Sequence, residues 1–213
     1  MKKLLFSFAA LLCMSAAAQA QNDVTRFLGI PIDGTKWEMI RQLKTKGFRN
    51  SASDSEVLEG EFNGRDVMLH VVTNNNKVYR IMVADANTED ERNIQIRFNN
   101  LCRQFENNQK YISLSEDQII DDKEDISYQM TVKKMRYEAV FFQKPDDAVL
   151  REELRNKYSE EQLNNPSEEI INYALSIYQK RPVWFMIDQV SYGQYRILMY
   201  YDNACNQASG EDL

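Results

Sequence analysis

Two aspartates near the C-terminus are the first residues of this chain that could carry chemistry. Asp188 and Asp202 lie in the hydrophobic runs VWFMIDQVS and YRILMYYDNACNQ. A carboxyl group in apolar surroundings is partly desolvated, which raises its affinity for protons. Because a paired-acid glycosidase needs two carboxyl groups held roughly 5–10 Å apart, the pair suggests a carboxylate-dependent glycan hydrolase. The structural alternative is that these strand-end aspartates cap turns.

His70 is the only histidine of the chain, so any catalytic site with an imidazole base has to use it. Alternation along its predicted strand places it on a polar face with Glu59, Glu61 and Asp66. We therefore interpret His70 as a solvated surface imidazole rather than a general base. A single histidine also excludes a His-rich zinc site.

An acidic segment, SLSEDQIIDDKED, could gather calcium. It lacks the glycine and the ligand periodicity of an EF-hand loop, so we interpret it as a solvated loop. The chain also has no Walker or dinucleotide glycine pattern. We expect no catalytic residue, no metal and no cofactor. The acidic side chains of the segment are Glu116, Asp117, Asp121, Asp122, Glu124 and Asp125.

Cys102 and Cys205 raise the question of a disulfide. In an exported protein the two could pair, and closing a loop of about 100 residues could stabilise the fold by roughly 4 to 5 kcal/mol. Cys102 also falls on an apolar helical stripe, where an unpaired cysteine serves as a small hydrophobe. Both interpretations remain open at the level of sequence.

The elements that must position these residues have strong sequence signals in the first half of the chain. In FLGIPIDGTKWEMIRQLKTKGF, Thr35 and Glu38 form a capping box, and Gly47 suits the left-handed residue that ends a helix. The next stretch, EVLEGEFNGRDVMLHVV, alternates on either side of Asn63-Gly64, which predicts a two-residue hairpin. The run KVYRIMVAD predicts a third strand.

The middle of the chain predicts a second helix, more strands and a helical insertion. Thr88 and Glu91 repeat the capping box before an apolar stripe at helical spacing. The stretch ISYQMTVKKMRYEAVFFQK alternates and predicts two strands. Residues 147–180 have a helical composition, and Asn165-Pro166-Ser167-Glu168 divides them into two helices. The stripe of the second helix consists of Ile94, Phe98, Leu101, Cys102 and Phe105.

The last two apolar runs predict a hairpin that turns at Tyr192-Gly193. Both of its faces are apolar, which is typical of strands at the centre of a sheet. The predicted fold class is therefore α+β, with mainly antiparallel sheet, helices packed on one face and an inserted helical pair near residues 147–180. A regular turn would place Trp184, Met186, Tyr195, Ile197 and Met199 on one face and Phe185, Ile187, Leu198 and Tyr200 on the other.

The N-terminal stretch MKKLLFSFAALLCMSAAAQA has the features of a secretory signal peptide: two lysines, a short apolar core and small residues before a cleavage point near Ala20-Gln21. Leu12 before Cys13 argues against the signal of a lipoprotein. No later segment approaches the roughly 20 apolar residues of a membrane span. We therefore expect an exported protein, periplasmic or extracellular.

Residues 21–213 suit a single α+β domain, with two similar lobes at about 21–112 and 113–213 as the alternative. The full chain has a formal charge of −6, and residues 1–20 contain two lysines and no acid, so their removal leaves −8. An acidic surface repels nucleic acid and anionic lipid. We therefore expect neither as a partner.

Three stretches carry a resemblance to known proteins: FLGIPIDGTKWEMIRQLKTKGF, LEGEFNGRDVMLHVVTNNNKVYRIMV and YRILMYYDNACN. They resemble a group of secreted, functionally uncharacterised proteins of anaerobic gut-type bacteria with a GIPIDG-type helix start, a KGF helix end and a Y-x-D-x-x-N ending. In this comparison residues 146–181 are an insertion, and no catalytic residue is carried over. The helix and meander also resemble, in topology, the modules of beta-lactamase-inhibitor-like and outer-membrane-assembly lipoproteins. Topology alone does not imply a function.

Strong folding signals without a convergent chemical cluster favour a non-catalytic function. We expect an exported binding or interaction protein of the periplasm or cell envelope, whose partner is a protein or an envelope component. The first alternative is the glycan hydrolase described above. The second is a periplasmic inhibitor or assembly factor, which should present an exposed apolar patch larger than a few hundred Å².

Overall fold

The computed structural model describes residues 23–208, and the predicted signal peptide with Cys13 lies outside them. Ten strands and six α-helices occur in this range. The strands are β1 (Arg26–Phe27), β2 (Ile30–Pro31), β3 (Arg49–Asn50), β4 (Val57–Phe62), β5 (Arg65–Asn74), β6 (Lys77–Asp85), β7 (Tyr111–Ile112), β8 (Glu138–Gln143), β9 (Pro182–Ser191) and β10 (Gln194–Asp202). The helices are α1 (Lys36–Thr45), α2 (Glu91–Glu106), α3 (Ile126–Thr131), α4 (Asp147–Lys157), α5 (Glu160–Asn164) and α6 (Glu168–Gln179).

Eight strands form one antiparallel sheet in the order β3-β4-β5-β6-β10-β9-β8-β7, while β1 and β2 pair separately. This confirms the predicted α+β class with antiparallel sheets. The order is symmetric about the contact of β6 with β10, because four consecutive strands lie on each side of it, β3 to β6 on one side and β7 to β10 on the other. The sheet is continuous through this contact, and the duplication of two lobes stays a prediction.

Helices α1 and α2 pack on the same face of the sheet, here called the covered face. Phe98 and Phe105 of α2 contact Phe185 of β9, with ring centroids 5.0 and 5.7 Å apart. This face contains the main hydrophobic core, as expected for a sheet with helices on one side. Its buried strand residues include Leu69, Val71, Ile81, Val83, Val183, Phe185, Ile187, Tyr195, Ile197, Met199 and Tyr201.

The opposite side of the central strands is here called the open face, and most of its side chains are half-buried. The expectation that the last hairpin is buried on both faces is therefore wrong, although β9 and β10 do lie at the centre of the sheet. The open face consists of Met68, His70, Arg80, Met82, Trp184, Met186, Asp188, Arg196, Leu198, Tyr200 and Asp202.

The first helix and hairpin form as predicted. Thr35 and Glu38 make the reciprocal capping box of α1, and Gly47 has a φ of 99° after the helix. Asn63 and Gly64, with φ of 52° and 72°, connect β4 to β5 in the two-residue turn that such residues favour. Local signals decided these elements.

The predicted start of α2 at Thr88 is wrong. The N-cap is Asp90, whose carboxylate accepts a hydrogen bond of 2.8 Å from the backbone N–H of Asn93. The backbone of Glu89 exchanges two hydrogen bonds with Tyr195, at 2.7 and 2.8 Å, so residue 89 extends the sheet and the helix begins after it. The predicted apolar stripe of α2 is buried.

The first of the two strands predicted in residues 126–144 is also wrong, since residues 126–131 form α3. Asp125 caps this helix by accepting a bond of 2.8 Å from the backbone N–H of Tyr128. Ile126 is buried, whereas Tyr128 and Val132 are exposed, so the alternation has no neighbouring strand to pack against. The second strand is confirmed as β8.

The inserted segment contains three helices instead of two. The extra helix, α5, begins at a capping box of Ser159 with Gln162. Ser167 is the N-cap of α6, so Pro166 precedes the cap rather than occupying the first helical position. Helix α6 contacts β8, and it buries Ile170 and Ile177.

A β-bulge changes the register of the last hairpin. Ser191 pairs with Gln194, but Tyr195 pairs with Gln189, which leaves Val190 as an extra residue. A shift of one residue moves every side chain of a strand to the other face. Phe185 and Ile187 therefore share the covered face with Ile197, and the predicted grouping of Trp184 and Met186 with Ile197 is wrong.

Candidate functional site

Asp202, at the end of β10, is fully engaged by neighbouring donors. Arg80 donates through Nε to Oδ1 at 2.6 Å and through Nη2 to Oδ2 at 2.7 Å. Trp184 donates through Nε1 to Oδ2 at 3.0 Å, and the hydroxyl of Thr25 donates to the backbone carbonyl of Asp202. Only 3% of the Asp202 side chain is exposed. The carboxylate therefore anchors structure and is not presented to a substrate.

An aromatic cluster surrounds the same arginine on the open face. The rings of Trp184 and Tyr200 stack with centroids 4.1 Å apart and planes 17° from parallel. The guanidinium of Arg80 lies 4.9 Å from the Tyr200 centroid and 5.5 Å from that of Trp184. The hydrogen bonds to Asp202 raise the pKa of Arg80, while partial burial raises the pKa of Tyr200. Cation–π contacts and the ion pair thus hold both rings in one geometry.

Asp188 forms a second ion pair on the same face. Its Oδ2 accepts a bond of 2.8 Å from Nε of Arg196, and both side chains are about 30% exposed. Asp188 lies opposite Arg196, which is six residues before Asp202 in β10. At about 3.3 Å per residue the backbone positions of the two aspartates are roughly 20 Å apart. This spacing does not suit two acids that act on one glycosidic bond.

The remaining predicted residues do not converge on these aspartates. His70 lies opposite Met82 on the open face and is half-buried. The acidic segment is a loop, and within residues 23–208 no group of three or more His, Cys, Asp or Glu side chains could hold a metal ion. Asn203 caps the short 3-10 helix Ala204–Asn206 by accepting a bond from the backbone N–H of Cys205.

The two cysteines are not joined in the structure. Cys102 is buried on α2, where its thiol donates to the carbonyl of Gln118 at 3.6 Å, and burial raises its pKa to about 12. Cys205 is exposed in the 3-10 helix. The structure therefore agrees with the interpretation of Cys102 as a small hydrophobe.

Sequence reasoning missed five exposed apolar side chains near the end of the β9–β10 hairpin, here called the apolar rim. Tyr192 at the hairpin turn is 86% exposed. The segment around α3 lies beside this hairpin, since Gln189 Nε2 donates to Thr131 Oγ1 at 3.4 Å. The sequence did not reveal that these two segments are close, because it predicted a strand where α3 forms and did not predict the bulge at Val190. The rim consists of Tyr128, Val132, Met135, Val190 and Tyr192.

The rim adjoins the open face. Arg136, which follows Met135 of the rim, has its Nη2 3.6 Å from the sulfur of Met186 on the open face. Within residues 23–208 we find no helix with the length and apolar character needed to cross a membrane. Comparison of the chain with protein-family models, curated proteins and solved structures finds no match.

Proposed function

We propose that this protein is an exported, non-catalytic binding protein that holds a partner protein against the open face. The observation that carries the proposal is the ordered group of Trp184, Tyr200 and Arg80 on the half-buried open face of the central strands. Aromatic and arginine side chains are the residues that most often dominate binding energy in protein interfaces. Methionines and a leucine surround this group, which adds apolar surface that can adapt to a partner.

The charges of the open face support a protein partner rather than a small ion. Arg80 and Arg196 are each paired within the face, to Asp202 and Asp188. Because neither pair has to be broken for docking, the face offers apolar contact area at little desolvation cost. Partial exposure of Arg196 and Asp188 leaves them able to hydrogen-bond to polar groups of the partner.

Export is the second part of the proposal, and it rests on the N-terminal signal pattern ending near Ala20-Gln21. N-terminal sequencing of the protein isolated from its producing cell tests it. An N-terminus at Gln21 is the expected result. A chain that keeps Met1 would contradict export by this signal.

An inhibitor or assembly factor of the periplasm is the more specific version of this function. The apolar rim favours it, because large exposed apolar side chains beside a binding face mark contact sites for proteins. The glycan hydrolase gains no support from Asp188 and Asp202 at their spacing of roughly 20 Å.

Site-specific photocrosslinking tests the proposed face. A photoreactive residue at Leu198 or Met186 should form one discrete adduct in the producing cell, and the same residue at Ile96 on the outer side of α2 should not. The adduct is identified by mass spectrometry and the partner is purified. Equal crosslinking from Leu198 and Ile96 would contradict a specific open-face partner.

Binding of the purified partner then supplies the quantitative test. Leu198→Arg places a bulky charge in the centre of the face and should weaken binding at least about 30-fold. Ile96→Arg is the matched control, because Ile96 is an exposed apolar residue outside the face. The proposal fails if both variants bind like the unchanged protein while their unfolding curves show that they are folded.

A further inference from the structure

A solvent-open cavity of about 1010 Å³ lies on the covered side of the sheet, away from the open face. It is bounded by the N-terminal segment Asp23–Gly29, by the C-terminal end of α2 and by the ends of β7 and β8. Met199 and Tyr201 of β10 form part of its floor. Ligand pockets in proteins typically have volumes of roughly 300–1,000 Å³, so the cavity can hold a small organic molecule.

Specific polar contacts build the wall opposite α2. The carboxylate of Asp23 pairs with Arg181 at 2.8 Å and accepts a bond of 2.8 Å from the backbone N–H of Asp146. The side-chain amide of Gln143 binds both backbone groups of Arg26, accepting at 2.7 Å and donating at 3.1 Å. The N-terminal segment is therefore fastened at two points, and the cavity is a defined part of the fold.

The floor of the cavity is apolar and aromatic. Phe62 and Tyr201 lie on one side, with ring centroids 6.3 Å apart. Phe105 and Tyr111 lie on the other, 4.8 Å apart in an edge-on arrangement. Burial raises the pKa of both tyrosines, so their phenols stay neutral at physiological pH. Phe105 and Tyr201 are themselves buried, so the apolar surface that a ligand can reach comes mainly from Phe62, Tyr111 and Leu28.

Besides the Asp23–Arg181 pair, five charged residues line the cavity, and none of them has an ion-pair partner among residues 23–208. They are the cations Arg26, Lys110 and Lys144 and the carboxylates Asp146 and Asp147, which leaves one net positive charge. The backbone N–H of Lys144 donates to the carbonyl of Lys110 at 2.8 Å, so the two lysines are neighbours. Cations beside an apolar floor attract a molecule with an anionic head and an apolar body.

We propose that the cavity binds an anionic amphiphile of the long-chain carboxylate type. Its hydrocarbon chain covers Phe62, Tyr111 and Leu28, and its carboxylate is bound by Lys110 and Lys144. This ligand site lies on the other side of the sheet from the open face and does not depend on the proposed protein partner.

Calorimetric titration of the purified protein with dodecanoate, below the concentration at which it forms micelles, tests the site. We expect saturable binding of one molecule per chain, with dodecan-1-ol bound at least about 10-fold more weakly. Replacing both lysines, Lys110→Ala with Lys144→Ala, should weaken the binding of dodecanoate at least about 10-fold and leave the binding of dodecan-1-ol unchanged. The matched control is Lys44→Ala with Lys46→Ala at the C-terminal end of α1, which should change the binding of neither ligand.

A second variant tests the cavity itself without changing charge. Gln104 is an exposed residue of α2 that lines the cavity, and Gln104→Trp should obstruct the chain site and weaken both dodecanoate and dodecan-1-ol. Absence of saturable binding overturns the proposal. The proposal is also overturned if the double lysine variant loses the same affinity for dodecanoate and for dodecan-1-ol, or if the folded Gln104→Trp variant binds both as before.

Discussion

Trp184 Nε1 donates a hydrogen bond of 3.0 Å to Oδ2 of Asp202, from the neighbouring strand of the sheet. Together with the two bonds from Arg80, this contact turns an aspartate that looked catalytic into the anchor of an aromatic cluster. The Trp184 indole is thereby oriented on the open face, with its ring stacked on Tyr200. The same contact suggests a direct stability experiment.

Asp202→Asn should lower the free energy of unfolding by about 2–4 kcal/mol, because it leaves the Arg80 guanidinium without a charged partner in a largely buried pair. Asp188→Asn is the matched control on the same face. Since Asp188 and its partner Arg196 are both about 30% exposed, we expect this variant to lower the free energy of unfolding by at most about 1 kcal/mol. Urea unfolding followed by circular dichroism measures both, and equal losses would contradict a special role of Asp202.

The side-chain amide of Asn99 should be a second determinant of stability. In a buried position, this amide donates to the backbone carbonyl of Ile120 at 2.8 Å and accepts from the backbone N–H of Ile120 at 2.9 Å. Asn99→Ala leaves both backbone groups unpaired, so we expect a loss of about 2–3 kcal/mol. Asn100→Ala, next to it on the exposed side of α2, should change stability by less than about 0.5 kcal/mol. A similar loss in both variants would argue against this clamp.

The bulge at Val190 predicts an asymmetry between two single-residue deletions. Deleting Val190 removes the extra residue and keeps Phe185 on the covered face, so the free energy of unfolding should fall by less than about 1 kcal/mol. Deleting Met186 shifts Phe185 or Ile187 to the open face and should cost more than about 3 kcal/mol or prevent folding. Thermal unfolding of the two deletion variants measures the difference. A larger loss of stability on deletion of Val190 than on deletion of Met186 would contradict the register described for β9 and β10.

The two cysteines should differ in reactivity. A thiol-specific reagent at pH 8 should modify exposed Cys205 in the native protein, while Cys102 should react only after unfolding. Mass spectrometry first establishes whether Cys13 is present. Absence of a reactive thiol at Cys102 and Cys205 in the unfolded, unreduced protein would show that they are paired.

Burial of Cys102 also predicts a loss of stability in alkali. Its pKa is raised from 9.0 to about 12 in the folded protein, so above pH 9 the unfolded chain releases a proton that the native protein keeps. The stability that the protonated Cys102 thiol contributes is complete below pH 9. It declines as the pH rises, by at most about 1.4 kcal/mol per pH unit. Cys102→Ala should flatten the dependence of unfolding free energy on pH between 9 and 10. An unchanged slope in this variant would contradict the assignment.

Elements whose stabilising groups are neighbours in the chain were predictable. Thr35 and Glu38 cap a helix by bonds across three residues, and Asn63-Gly64 closes a turn through its own backbone preference. The α+β class followed from these local signals and from the alternation of apolar residues. Such interactions need no knowledge of what else the chain brings nearby.

Features that depend on distant partners could be seen only in the tertiary structure. The pairing of Glu89 with Tyr195 moved the start of α2, and the extra residue at Val190 decided which residues of β9 face the helices. Asp202 was recognised in the sequence as the end of a strand, but its binding by Arg80 and Trp184 was not, because those donors come from two other strands. The sequence by itself determined which segments could form strands and helices. The tertiary structure decided their register and the partner of each charge, because both depend on contacts between residues far apart in the chain.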